Sequence, residues 1–273
     1  MAPPAWVIAM KFEDGKRSLS VAILLTLSGG FLDAFAYVGH GHVFANTMTG
    51  NVALLGMNIA ALDWIQASRH LPPLVAFICA VFVVHLLGLE PGRRWVRHPA
   101  VACLVLEIIF LVVAASRVIR IDDFWLIPGI SFVATLQTLS FTHVEDVAYT
   151  SVMTTGNLRR ATQNLLAGLI PRHDVVSLHD AWLLGLISLS FLTGAVLGGY
   201  MTAHMHDSAL WVVTALLAVA LFGIFRKALG RAPDDTGCGS VGCQHEGHAD
   251  HATQRHVFQP LCCGDTGLPS NHE

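Results

Sequence analysis

Apolar residues in this chain do not alternate with polar ones; they come in long blocks separated by short polar breaks. Six blocks predict helices, over residues 18–38, 72–89, 100–115, 124–141, 181–201 and 209–225. Several approach or exceed the roughly 18–20 residues that carry a helix across a bilayer. Two further blocks, 43–62 and 148–170, are apolar but interrupted by Thr, Asn and Gly near their starts. They read as short full spans or as broken, re-entrant segments. The pattern predicts an all-α fold: a polytopic transmembrane helix bundle with six full spans plus two interrupted segments, or with eight spans.

The interrupted blocks share a motif. Thr49-Gly50-Asn51 recurs as Thr155-Gly156-Asn157 at an offset of 106 residues, and Met48 and Met153 precede the two copies. At the same offset Asn58 matches Asn164, Ala61 matches Ala167, and the pair Gly88 and Gly92 matches Gly194 and Gly198. A shared tripeptide plus a shared glycine pair without gaps points to duplication, with halves at about 18–99 and 124–227. Two-halved transporters place a site between the halves, formed by interrupted helices. Crossing parity sets the symmetry. If both motif segments cross, the halves are parallel; if both are re-entrant, the halves are inverted. The positive-inside rule does not separate the two. Eight crossings strand Arg93, Arg94 and Arg97 outside, whereas six bring them in and move Arg117 and Arg120 out. Six spans with two broken segments is the preferred form, with both termini cytoplasmic.

Composition agrees with a membrane location. Only 13% of residues are charged, about half the usual fraction in soluble domains. The net charge of −3 gives no basis for a nucleic-acid partner. Residues 1–17 form a cytoplasmic segment with Lys11, Lys16 and Arg17, and the first apolar run reads as a retained helix. Cys79 and Cys103 lie inside apolar runs as small hydrophobes. Beyond the bundle, residues 232–273 form a polar tail that cannot bury enough surface to fold alone.

Candidate chemistry is sparse. Asp33 lies late in the first helix behind Gly29 and Gly30, and Glu107 lies in the middle of the third apolar run, with His85 as a candidate partner. A carboxyl at mid-bilayer costs roughly 2.5–3.5 kcal/mol, so both read as proton or cation groups or as structural polar contacts. The tripeptides Thr49, Gly50, Asn51 and Thr155, Gly156, Asn157 supply a backbone break, a cap and a donor–acceptor pair. They are substrate-path candidates, together with Gln137, which precedes the second copy much as Asp33 precedes the first. Arg159 and Arg160 line a watery cavity or sit at the cytoplasmic interface. In the tail, Cys238, Cys243, His245, His248, His251, His256, Cys262 and Cys263 offer ligands suited to zinc or copper, at spacings that fit no closed zinc module. No P-loop, nucleophile elbow or HExxH run occurs, so the expectation is that the chain is not an enzyme.

With Gly29, Gly30, Asp33, Ala34 and Phe44 ahead of Thr47-Met48-Thr49-Gly50-Asn51, the chain resembles the YoaK-type family, the domain of unknown function 1275. Its second half is similar through Gln137 and Thr155-Gly156-Asn157; the tail and the Arg159-Arg160 pair depart from the family pattern. The resemblance implies a multi-pass protein of the bacterial cell (inner) membrane with about six helices, and neither a reaction nor a substrate. Two functions follow as expectations: a small secondary transporter or permease for a small molecule or ion, with a polar path between the halves, or a membrane scaffold or sensor with a metal-binding tail.

Overall fold

A computed structural model of the chain describes residues 18–89, 98–118, 121–170 and 174–229. The first half holds α1 (Leu19–Gly39), α2 (Met48–Ala60), α3 (Trp64–Arg69), α4 (Leu71–Gly88) and α5 (Pro99–Ser116). The second holds α6 (Asp123–Ser140), a two-residue hairpin of β1 (His143–Val144) and β2 (Val147–Ala148), then α7 (Thr154–Leu169), α8 (Val175–Met205) and α9 (Leu210–Leu229). The protein is thus an all-α helical membrane bundle, and each of the six long apolar blocks is a helix. Their boundaries follow local chemistry. Pro72 and Pro73 open the first turn of α4, where missing N–H groups cost nothing. Asp122 caps α6 through the Phe124 N–H. Asp174 caps α8 through Val176, so α8 begins six residues before its apolar block.

The two ends of the bundle can be told apart by what meets there. At one end lie the C-terminus of α1, the N-termini of α4 and α6, and the turn between α8 and α9, joined by His40, Asp123 and Asp207. Arg117, just past α5, reaches Asp207 at 3.0 Å at the same end. At the other end, Val84 late in α4 packs with Cys103 early in α5 and Leu136 late in α6. There too Gly223 of α9 faces Val21 of α1. The six long helices therefore run the length of the bundle in alternating directions, leaving both the start of α1 and the end of α9 at this second end.

α1 is the central helix: 67% of its apolar window is buried, against 17% for the window containing α4. It packs most extensively against α8, and runs parallel to it. Gly30, Gly194 and Gly198 make this possible, because a Cβ at any of them would overlap the backbone of the facing helix. α4 pairs with α6 in the same parallel sense. The exposed large apolar side chains, such as Ile78, Phe82, Trp182, Leu192 and Phe222, cover the outside of the bundle, as lipid-facing helices require.

Candidate functional site

The two interrupted blocks resolve into a loop that dips into the bundle and a short helix that returns. After α1 the chain turns at His40, and by Asn46 it is beside Gly29, whose carbonyl accepts from Asn46 Nδ2 at 3.2 Å. Gly29 lies ten residues before the end of α1, about 15 Å down the helix at 1.5 Å per residue. Asp33 holds the dip in place. Its Oδ1 accepts from the Asn46 N–H at 2.6 Å and the Thr47 N–H at 3.3 Å, and its Oδ2 from the Thr47 hydroxyl at 2.5 Å. The 13 residues of α2 then span about 20 Å, too few for the roughly 30 Å of hydrocarbon. Gln66 of α3 donates to the Gly41 carbonyl at 2.5 Å, and Pro72 and Pro73 line one cavity with His40. The segment ends where it began.

The second segment does the same from the opposite end. Beyond α6, Val144 and Tyr149 of the hairpin region pack on Ala22 near the start of α1 and on Leu184 of α8. The chain then dips, Ser151 Oγ meets Thr138 Oγ1 at 3.0 Å, and α7 returns over 16 residues. His179 in the first turns of α8 faces Glu145 of the hairpin at 3.9 Å. The two dips meet at Gly29. A Cβ there would lie 2.9 Å from Val152 Cγ1 and 3.2 Å from the Ser151 carbonyl, while Asn46 holds the Gly29 carbonyl itself.

Each dip is fastened by the asparagine of its tripeptide. Asn51 accepts from the Phe44 N–H at 2.9 Å and donates to the Phe44 carbonyl at 2.8 Å. Asn157 accepts from the Thr150 N–H at 3.1 Å and donates to its carbonyl at 2.6 Å. Both ends of the clamp are related by the 106-residue offset. Each Oδ1 also faces a further donor: His70 Nδ1 at 3.4 Å for Asn51, and Arg160 Nη2 at 3.3 Å for Asn157. Asn58 Nδ2 lies 3.1 Å from His70 Nε2, so the two partners together specify the neutral Nδ1–H tautomer of that histidine.

The rest of each tripeptide is placed differently from its asparagine. Thr47 and Met153 occupy the cap positions without capping bonds, so Thr49, Gly50 and Asn51, like Thr155, Gly156 and Asn157, fall within the first turns. Thr49 and Thr155 are exposed. Gly50 makes room for Phe44, whose ring stacks on Tyr37 at 4.8 Å between centroids, whereas Gly156 faces open space. The main packing partners of α2 are α3 and α4, and that of α7 is α8; the dips converge, but the tripeptides do not. Gln137 is buried beside the second dip, its Oε1 3.4 Å from Thr138 Oγ1. Glu107 is buried in α5, next to Cys103 one turn away, and its Oε2 has no hydrogen-bond partner among the described residues. Arg159 is exposed on α7. Gly92 and all eight tail ligands, Cys238 to Cys263, lie outside the described residues.

Asn46, Thr47, His70 and His40 were not legible as site residues. His40 and His70 lie in or beside polar breaks, where a polar side chain suggests solvent, and Asn46 and Thr47 open an interrupted apolar block in which nothing points back to Asp33. His40 sits at the mouth of the first dip, 2.9 Å from Asp123, above a cavity of about 490 Å³ lined also by Arg69, Ile127 and Pro128.

This arrangement defines a class: a helical membrane protein with two broken segments converging on its central helix. The chain belongs to the family described as Protein of unknown function (DUF1275), whose model matches residues 21–223. It is 26% identical over 209 residues to UPF0700 transmembrane protein YoaK of Bacillus subtilis (strain 168), covering 75% of this chain and 91% of that one. No solved structure matches it.

Proposed function

We propose that the protein is a small permease of the cell membrane, built from two duplicated halves of inverted topology. One observation carries this reading: two broken segments enter from opposite ends and meet at Gly29 of the central helix. Discontinuous segments at a half-interface are where secondary transporters hold their substrates. Irregular backbone at membrane depth is tolerated only when protein or a watery path surrounds it. The matched clamps of Asn51 and Asn157 support the duplication. So does the reciprocal packing of α8 on α1 and of α4 on α6.

Charge supports an orientation. Lys11, Lys16 and Arg17 precede α1, the segments joining helices at that same end carry Arg93, Arg94, Arg97 and Arg172, and Arg226 lies late in α9. The segments at the opposite end carry fewer basic residues, Arg69, Arg117 and Arg120, while acids, which count little under the rule, occur at both ends. By the positive-inside rule the end where α1 starts and α9 finishes is cytoplasmic. The test is flux into proteoliposomes containing the purified protein. At least one small solute from a panel of neutral, cationic and anionic probes should enter faster than into empty liposomes. Rates equal to empty liposomes for every probe would overturn the proposal.

A further inference from the structure

At the crossing of the dips, two buried polar side chains each have one committed atom and one free atom. Asn46 is 5% exposed; its Nδ2 is spent on the Gly29 carbonyl, which leaves Oδ1 as a buried acceptor with no hydrogen-bond partner among the described residues. Gln137 is 3% exposed; its Oε1 takes the Thr138 hydroxyl, which leaves Nε2 as a buried donor likewise unpartnered. The Asn46 amide is fixed because Gly29 offers only an acceptor, and at Gln137 it is Oε1 that accepts from the Thr138 hydroxyl, itself linked to Ser151. Hydrogen bonds link Asn46 to Gly29 on one side and Ser151 through Thr138 to Gln137 on the other, and Ser151 packs against Gly29 where the two dips meet. Native interiors rarely leave such groups without a partner, since each forfeits its hydration.

Asp33, the carboxyl nearest this point, is engaged by three donors of the first dip and has a structural task. We infer that Asn46 Oδ1 and Gln137 Nε2 form a subsite for an uncharged solute carrying both a hydrogen-bond donor and an acceptor, such as an amide or an alcohol. This rests on the permease reading and supplies its substrate class. A bare cation would need more than one carbonyl-type oxygen, and an anion more than one donor. The pair, one of each, suits a neutral polar group.

The experiment is stopped-flow osmotic response of proteoliposomes to acetamide, urea and glycerol, with labelled choline and acetate as charged probes. Melting of the detergent-purified protein is followed in parallel, with and without acetamide. The wild-type protein should pass at least one neutral probe faster than empty liposomes. Gln137→Met should lower that rate about fivefold, the worth of one hydrogen bond between uncharged groups. Its melting temperature should be equal or higher, because the apolar side chain removes an unsatisfied donor. Passage of choline or acetate alone would overturn the substrate class and leave the permease reading standing. If no probe passes, the permease reading falls and melting decides the subsite: a rise with acetamide in wild type but not in Gln137→Met upholds it, and equal behaviour overturns it. A destabilised Gln137→Met with unchanged flux would also overturn it, making Gln137 a structural contact.

Discussion

Asn51 and Asn157 each do for an isolated loop what a neighbouring strand does in a sheet: one side-chain amide satisfies both backbone groups of a residue seven positions earlier. Removing the amide leaves a part-buried N–H and C=O without their partner, at up to roughly 1–3 kcal/mol for each group. Asn51→Ala and Asn157→Ala should therefore lower the melting temperature clearly, whereas Thr49→Ala and Thr155→Ala, at exposed positions, should change it little. Equal losses from the threonine and asparagine variants would show that the clamps are not what holds the dips. The glycines between them should part company. A Cβ at Gly50 would lie 2.9 Å from the Phe44 ring, while one at Gly156 meets nothing within 4 Å. Gly156→Ala should be neutral or stabilising by up to roughly 1 kcal/mol, the helix-propensity gain, and Gly50→Ala destabilising. Both are read by thermal melting, and a Gly156→Ala protein that melts well below wild type would contradict the placement of α7.

Among the elements, the α1–α8 pair carries the bundle, and its glycines make a sharp test. Gly194→Ala would drive a methyl into the Leu27 carbonyl and Gly30→Ala into that of Phe191. Overpacking of this kind costs typically 1–3 kcal/mol or more. Gly185→Ala, in the same helix with open space around it, is the matched control and should be tolerated. Ahead of α8, Asp174 sits outside the apolar run; its carboxyl is held below the ordinary range, first by the Ser177 hydroxyl and then by the Val176 N–H. A depressed carboxyl contributes stability above its unfolded pKa and loses it as pH falls through the folded one. Asp174→Ala should thus lower melting at neutral pH, and the difference from wild type should vanish in strong acid; a gap that persists there would remove the cap as its cause. The helices themselves were legible because blocks of about 18 apolar residues admit few other structures in a bilayer. The recurrence of the tripeptide was legible, but its mechanical role was not, since Phe44 and Thr150 enter the clamps only through their backbones. Asp33 stood out as an expensive carboxyl. That it anchors a loop depends on Asn46 and Thr47 folding back onto it, a tertiary fact with no periodic trace in the sequence.

For the whole molecule, the consequential difference between six and eight crossings lies in where two short segments emerge. If the dips are re-entrant, Asp63 after α2 is on the same side as His40 before it, and Asp146 in the hairpin is on the side where α1 starts and α9 finishes. If the segments cross, Asp63 and Asp146 each change sides. Two geometric facts favour re-entry: Gln66 bonds back to Gly41, and His179 faces Glu145. Each closes its excursion on the side where it started. Single cysteines at Asp63 and Asp146, in a background with the six native cysteines replaced, report on this through a membrane-impermeant maleimide. In intact cells Asp63→Cys should label and Asp146→Cys should not; in inside-out vesicles the pattern should reverse. The eight-crossing arrangement with the same cytoplasmic N-terminus demands the opposite labelling at both positions, so one pair of sites decides between inverted and parallel halves. Labelling of both cysteines from the same side would exclude either symmetric arrangement and, with it, a path formed where two equivalent dips meet.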